Sequence, residues 1–206
     1  MASGKLSHSR QAKPENRRGD RRQRRSAETR EKLFRAALKL FSEKGFGETT
    51  VEDITNAADV GKGTFFNYFP SKEHILIAFG EMQLGKLQQA VDNLCHSNES
   101  MPAFLRSLSV RMTEEPARAP DVVRAILLAN LSGSSVRQIM CANHARAHGL
   151  LTKLIQVGQE RGEFRRDLPA GELAHVFRQT VFGTLLIWSV SGEASLPERI
   201  TMVGAE

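Results

Sequence analysis

Cysteine is scarce in this chain of 206 residues, which contains only Cys95 and Cys141. Two cysteines form no disulfide framework, and this excludes the small secreted domains that several disulfides hold together. We therefore expect the chain to reside in a reducing cytoplasm. The Arg-rich N-terminus has no apolar stretch behind it, so we also expect no secretory signal.

Long hydrophobic runs are also missing. The longest run near the C-terminus, residues 181–190, is interrupted by Gly183, Thr184 and Ser189. It is too short for a membrane span, which needs about 20 apolar residues. Strand patterns with alternating polarity are absent, so we expect an all-α fold. No nucleophile–base constellation and no phosphate-cradling glycine loop stands out, so we expect neither an enzyme nor a cofactor.

The net charge of +6 is concentrated at the N-terminus. Residues 1–28 contain nine basic and three acidic residues, so the remainder of the chain is neutral. Residues 1–25 lack apolar periodicity and are predicted to be a disordered basic tail. Such a polycation favours nucleic acid, because each phosphate that it neutralises releases a counterion. A tail that only increases solubility is the alternative.

Apolar residues at helical spacing and capping signals predict helices along the rest of the chain. Ser26 or Thr29 begins the first helix, which ends at Gly45, and Thr50 caps a second with Asp53 three residues on. After a tight turn at residues 59–61, the further helices cover residues 62–69, 71–94, 101–113, 121–131, 136–161, 169–190 and about 197–202.

Two short helices joined by a tight turn, at residues 50–69, match the geometry of a helix-turn-helix. Ile54, Ala58, Val60, Phe65 and Tyr68 can pack the pair together. An outward face then remains, made of Lys62, Thr64, Phe66 and Asn67. An aromatic ring beside Asn and Lys suits a DNA major groove, where these side chains can contact a thymine methyl and base edges. An ordinary helical hairpin with an aromatic core is the alternative.

Free N–H groups and the helix dipole favour phosphate at helix starts, which draws attention to Thr50 and Lys72. Gly61 and Gly63 let the backbone approach DNA closely. The full set of predicted DNA-binding residues is Thr49, Thr50, Lys62, Gly63, Thr64, Phe66, Asn67, Tyr68 and Lys72.

The sequence resembles the TetR family of transcriptional regulators. The resemblance rests on TTVEDI at residues 49–54, KGTFFNYF at 62–69 and PSKE at 70–73, with AALKLF at 36–41 and GF at 45–46. It covers about residues 29–80. The family usually has Ala at the position of Thr55, Gly at that of Asp59 and often Tyr at that of Phe66. Asp tolerates the left-handed turn, whereas the missing Tyr hydroxyl removes one possible DNA contact.

The resemblance implies about nine helices, in a three-helix N-terminal DNA-binding domain and a C-terminal ligand-binding and dimerisation domain. It implies that residues matching 62–64 and 66–68 line the recognition helix and that Lys72 holds phosphate. We divide the chain into the tail at 1–25, the helix-turn-helix domain at 26–72 and the effector and dimer domain at 73–206.

The predicted function is a repressor that binds a double-stranded operator as a homodimer. The alternative is an architectural protein that binds nucleic acid without sequence preference.

The effector and dimer residues of the C-terminal domain are predicted less directly. A small, largely apolar effector is expected against Met101, Phe104, Leu108, Met112, Asn130, His144, Phe177 and Val181. The dimer interface is expected at Arg178, Phe182, Leu185, Leu186 and Trp188, although these side chains could equally be buried within one subunit. Cys141, His144 and His148 share a helix face, but no fourth ligand is visible and we predict no metal site.

Overall fold

The computed structural model describes residues 16–94, 98–114, 120–131 and 135–191, with side chains from residue 19 onward except at 128–136. These residues form helices and no strand, which confirms the predicted all-α fold. The helices are α1 (Asn16–Lys44), α2 (Val51–Ala57), α3 (Lys62–Tyr68), α4 (Glu73–Asp92), α5 (Met101–Thr113), α6 (Pro120–Leu131), α7 (Ser135–Glu160) and α8 (Ala170–Ser191). The helix predicted near 197–202 lies outside the described residues. No described helix has both the length and the apolar character to cross a membrane.

Helix α1 begins ten residues earlier than predicted. We expected disorder up to residue 25, but the helix starts at Asn16 and runs unbroken to Lys44. Arg and Gln are good helix formers, and Arg24 pairs with Glu28 one turn later at 3.0 Å between Nε and Oε1. The prediction relied on apolar periodicity, which an exposed helical extension does not need. Residues 1–15 of the predicted tail lie outside the described residues.

The first hydrophobic core joins the three N-terminal helices to the start of α4. Its largest fully buried side chains come from α1, α2, α4 and the α3 region, and they include Leu33, Phe41, Ile54, Phe65, Phe69, Ile75 and Leu76. Val122 and Ala125 of α6 and Met140 of α7 belong to the same cluster. The N-terminal helices are therefore packed continuously against the C-terminal part of the chain.

A second core lies between the later half of α4 and helices α5, α7 and α8. It is built from aliphatic side chains with one buried aromatic ring: Leu84, Leu87, Ala90, Leu94, Met101, Phe104, Leu105, Leu108, Leu150, Leu151, Leu154, Ile155 and Ala174. A smaller cluster packs Trp188 of α8 against Val123 of α6. Helix α4 thus contributes side chains to both large cores and connects the N-terminal helices to the C-terminal helices.

Candidate DNA-binding site

A reciprocal capping box starts α2, as the spacing of Thr50 and Asp53 predicted. The Asp53 N–H donates to Thr50 Oγ1 at 3.1 Å, and the Thr50 N–H donates to Asp53 Oδ2 at 2.8 Å. The Lys44 ammonium lies 2.8 Å from the same Oδ2. Hydrogen bonds from Lys44 and then from Thr50 hold the pKa of the Asp53 carboxyl well below its ordinary value. The end of α1 and the start of α2 are therefore tied together by a charged cap.

The turn between α2 and α3 takes the left-handed conformation at Asp59, where φ is 53°. Asp is one of the few residues with a side chain that tolerate this region, which confirms the prediction for this position. The Val60 N–H donates to the Thr55 carbonyl at 3.0 Å and closes the turn. Ile54, Ala58 and Phe65 are buried, and Val60 and Tyr68 pack against them, as predicted.

Helix α3 has one buried and one outward face. Phe65 is fully buried, whereas Lys62, Gly63 and Asn67 are exposed and Phe66 is 50% exposed. The Phe66 ring meets the Phe65 ring edge-on, with 5.4 Å between the centroids. This contact with a fixed core residue orients an aromatic side chain toward solvent. The predicted set of outward side chains is thus brought together on one face, with Thr64 partly buried beside it.

The end of α3 is anchored to α1 by contacts that the sequence did not reveal. The Tyr68 hydroxyl donates to Ser26 Oγ at 3.1 Å, across 42 residues of chain. The Arg30 guanidinium lies over the Phe69 ring, 5.1 Å from its centroid. Tyr68 is half-buried. Its hydroxyl therefore has a partner within the chain, whereas the sequence predicted only packing of its ring and a place on the recognition helix.

Lys72 holds the loop between α1 and α2. Its ammonium donates to the carbonyls of Phe46, Gly47 and Thr49, with Nζ–O distances of 2.8, 3.1 and 3.1 Å. It also lies 4.6 Å from the centroid of the Phe46 ring. An ammonium has three N–H donors, so these carbonyls occupy all of them. A phosphate contact, as the family resemblance implies, would have to displace one of these bonds.

The side chain of Thr49 is not available to DNA, which corrects the prediction for this residue. It is fully buried, and its hydroxyl donates to the Gly45 carbonyl at 2.7 Å. Gly45 has a φ of 86°, a left-handed conformation that closes α1 as predicted. Thr49 therefore shapes the loop that leads into α2, while its neighbour Thr50 is exposed.

The predicted effector residues are divided between separate places. Phe104, Leu108 and Met112 line a cavity of about 660 Å³ between α4 and α5. Its other lining residues are mostly polar: Lys86, Gln89, Ala90, Asn93, Glu99, Ser107, Arg111 and Glu114. Met101 is fully buried in the second core, and Phe177 and Val181 pack in different clusters. The side chain of Asn130 lies outside the described residues.

A polar cluster at the α7–α8 contact was largely missed by sequence reasoning. The rings of His148 and His175 lie 6.0 Å apart, and His144 faces Phe182 at the same centroid distance. Burial, and then the nearby Arg178 charge, lower the pKa of His144. The spacing of His144 and His148 on one helix face was the available signal, but it does not show what lies opposite.

Several buried polar atoms in this region have no hydrogen-bond partner among the described residues. They are Nδ1 of His148, Nδ2 of Asn143, Nε of Arg178 and both amide atoms of Gln83. Buried groups without partners cost free energy, so this region favours water or a polar ligand over an apolar filling. The described part of the chain has no group of three or more His, Cys, Asp or Glu side chains arranged for a metal ion.

The face of α8 predicted for dimerisation is mostly turned inward. Trp188 is buried against Val123, and Leu185 packs beside it, because α6 covers this side of α8. Arg178 and Phe182 are partly buried at the α7 contact, and only Leu186 of the predicted set is exposed. The outward apolar side chains of α8 are Val176, Leu186, Ile187 and Val190, which are 57%, 43%, 56% and 71% exposed.

Residues 33–79 match the family described as bacterial regulatory proteins, tetR family. The repressor NicS of Pseudomonas putida is 31% identical, with the match covering 68% of this chain and 68% of NicS. The repressor DhaR of Mycobacterium sp. strain GP1 is 31% identical, over 76% of this chain and 80% of DhaR.

Solved structures extend the likeness to the whole fold. The TetR-family repressor FadR of Thermus thermophilus, crystallised with lauroyl-CoA, has 29% sequence identity and a TM-score of 0.64. The match covers 84% of this chain and 90% of that structure. FadR of Bacillus halodurans, with 20% identity and a TM-score of 0.70, shows the same fold. With a helix-turn-helix in the matched segment and relatives matched over most of their length, this chain belongs to the TetR family of bacterial transcriptional regulators.

Proposed function

We propose that this chain represses transcription by binding a specific DNA operator through α3 and leaves that operator when a small molecule binds the C-terminal domain. The outward face of α3 is the observation that carries the proposal. Lys62 and Asn67 are exposed beside the half-exposed Phe66, while Phe65 fixes the opposite face in the core. These side chains offer hydrogen bonds and an apolar contact to base edges in a major groove.

The remaining predicted residues take supporting roles in this proposal. Thr50 is exposed at the start of α2, but its hydroxyl donates to Asp53 Oδ2 at 2.7 Å, so a phosphate contact has to replace that hydrogen bond. Gly63 lets the backbone of α3 approach the groove closely, and the partly buried Thr64 lies beside the outward face. Tyr68 and Lys72 act mainly by holding α3 and the preceding loop in place, since both side chains already have partners within the chain.

Selection of bound sequences from a random DNA pool, with the purified full chain, tests the base-reading role. We expect the selected operator to lose preference at one position per half-site when Asn67→Ala replaces the wild type. The matched control is Gln156→Ala, which removes an exposed amide from α7. A wild type that enriches no sequence, or an Asn67→Ala variant with an unchanged preference, would contradict the proposal. The first result would favour the architectural protein without sequence preference.

The effector is proposed to enter the cavity between α4 and α5. Ala90, Phe104, Leu108 and Met112 give it an apolar side, and its charged lining contains Lys86 and Arg111 together with Glu99 and Glu114. This combination suits an amphiphilic ligand, with an apolar chain and a polar or charged head group, better than the wholly apolar molecule expected from sequence. The lauroyl-CoA bound by FadR of Thermus thermophilus belongs to that chemical class.

The packing of α4 indicates how the cavity is coupled to the DNA-binding helices. The cavity is lined by the later half of α4, and the earlier half of α4 packs with α1, α2 and α3 in the first core. A ligand that separates α4 from α5 would therefore shift the helix against which the DNA-binding motif packs. About 3 kcal/mol of differential affinity lowers operator affinity roughly 100-fold, and operator must weaken ligand binding by the same factor.

Lauroyl-CoA is the probe for this route, with free coenzyme A as the control for its head group. We expect lauroyl-CoA to bind more weakly when operator is saturating, and Met112→Trp, at a partly buried lining position, to block lauroyl-CoA binding. Equal lauroyl-CoA affinity with and without operator would contradict regulation by this class of ligand at this cavity.

A further inference from the structure

The N-terminal extension of α1 is a strongly basic helix beside the recognition helix. Arg21, Arg22, Arg24 and Arg25 are all exposed, and Asp20 is the one acidic residue among residues 19–25. Among the described residues, Arg24 is the one of these arginines with an ion pair, to Glu28 one turn later, and that pair is itself exposed. Exposed pairs of this kind contribute little free energy, so the segment keeps a high positive potential.

The position of this extension is set by contacts with the end of α3. Ser26 accepts a hydrogen bond from Tyr68, and Arg30 covers Phe69. Arg22 precedes Ser26 by four residues, as Ser26 precedes Arg30, so these three residues lie on one face of α1. The basic segment therefore leaves the body of the protein at the end of α3, where α1 contacts Tyr68 and Phe69.

The reach of the extension is fixed because it is helical. Ten residues separate Ser26 from the start of α1 at Asn16, which corresponds to about 15 Å along the helix axis. DNA rises about 3.4 Å per base pair, so this length covers about four or five base pairs. A flexible tail would sample many positions, whereas a helix continuous with the core presents its charges at a defined distance from the recognition helix.

We propose that residues 19–25 form a second DNA-binding surface, which contacts phosphates just outside the base pairs read by α3. This proposal rests on the proposed DNA-binding function and adds a contact that the helix-turn-helix does not contain. The surface recognises the phosphate backbone and not the bases, because its side chains are arginines on an exposed helix, which neutralise phosphates without the fixed geometry that base reading requires. It raises affinity for longer sites and leaves base preference unchanged.

The test replaces Arg21, Arg22 and Arg25 together by Gln, which keeps helix propensity and leaves the Arg24–Glu28 pair intact. The control replaces Arg137, Arg146 and Lys153 by Gln, which removes the same charge from exposed positions of α7. Circular dichroism establishes that both variants keep the helical content of the wild type. Operator affinity is then measured between 50 and 200 mM salt, on duplexes with and without about five flanking base pairs on each side, the length that the helical reach covers.

We expect the Arg21, Arg22 and Arg25 variant to show a shallower dependence of log K on log salt, by about 2.7 for each bound protomer. Over this salt range that corresponds to about a 40-fold smaller loss of affinity per protomer. We also expect trimmed flanks to weaken the wild type and the control but not the variant. An unchanged slope together with unchanged flank dependence would overturn the proposal.

The same measurements separate this inference from the proposed function. A wild type without sequence preference would contradict the proposed repressor. The difference in salt slope between the wild type and the Arg21, Arg22 and Arg25 variant on random duplex would still decide whether these arginines contact phosphate. Specific binding with no effect of the three substitutions would retain the repressor and reject the second surface.

Discussion

Lys72 is a single side chain on which the geometry of the α1–α2 loop depends. Its three carbonyl contacts hold the loop that carries Thr49 and leads into α2. We expect Lys72→Met to lower the free energy of unfolding by about 1–2 kcal/mol, because hydrogen bonds from a charged group are lost from a partly exposed site. We also expect weaker binding to all DNA sequences alike, since the position of α2 and α3 is disturbed.

The salt dependence of the Lys72→Met variant distinguishes two roles. If the ammonium serves only the loop, the slope of log K against log salt stays that of the wild type. A slope shallower by about one would instead support the direct phosphate contact that the family resemblance implies. Lys153→Met, at an exposed position of α7, is the control for loss of one charge.

Asp53 makes part of the stability dependent on pH. Because the pKa of its carboxyl is lowered in the folded chain, the stabilisation is present above the ordinary carboxyl pKa of 3.8 and disappears as the pH falls through the lower folded value. We expect Asp53→Asn to lower the unfolding temperature at pH 7 and to reduce its dependence on pH in the acid range.

Thermal unfolding of the wild type and Asp53→Asn from pH 7 to pH 3 measures this contribution. The exposed Glu81→Gln of α4 serves as the control for removal of one carboxylate. If the difference between wild type and Asp53→Asn were the same at pH 7 and pH 3, the charged cap would not be its source.

At the scale of elements, the contact between α7 and the segment after it depends on a glycine. A Cβ at position 158 would overlap the Cδ2 and Cε2 atoms of the Phe164 ring. Gly149 lies on the same helix with nothing within 4 Å of the corresponding position. We expect Gly158→Ala to destabilise the protein by about 1–3 kcal/mol through overpacking. Gly149→Ala should instead stabilise it by about 0.5–1 kcal/mol, because Ala favours a helix.

Chemical denaturation of the two variants checks this pair of opposite effects. The substitution is identical and the helix is the same, so helix propensity contributes similarly at both positions. A stabilised Gly158→Ala variant would show that the Phe164 ring moves aside at little cost.

At the scale of the whole molecule, we predict a two-fold dimer through the outward face of α8. Leu186, Ile187 and Val190 form an exposed apolar stripe near the end of α8, outside both large cores, and Val176 lies on the same side of the helix three turns earlier. Two protomers would place two copies of α3 on half-sites about one helical turn of DNA, or a multiple of it, apart. We expect Ile187→Asp to give monomers with much weaker operator binding.

Sedimentation equilibrium at micromolar concentration measures the mass. Leu168→Asp is the control, since it places the same charge on an exposed leucine outside the stripe and should leave a dimer. A monomeric wild type, or a dimeric Ile187→Asp variant, would contradict the prediction.

The sequence alone was enough to predict the all-α fold and the local geometry of the DNA-binding motif. The capping box of Thr50 and Asp53 and the left-handed turn residues Gly45 and Asp59 depend on chemistry within a few residues. Backbone conformation and hydrogen bonding over such short separations follow from residue type, so a spacing in the sequence corresponds directly to a contact in space.

Only the tertiary structure decided which apolar face of α8 is covered and which polar groups are already occupied. Trp188 is buried and Ile187 is exposed because Val123, on a helix more than 60 residues earlier, lies against one side of α8. Lys72 and Thr49 likewise have partners in or beside the α1–α2 loop. Periodicity shows that a helix has an apolar face, but the element that covers that face is chosen by packing between segments distant in sequence.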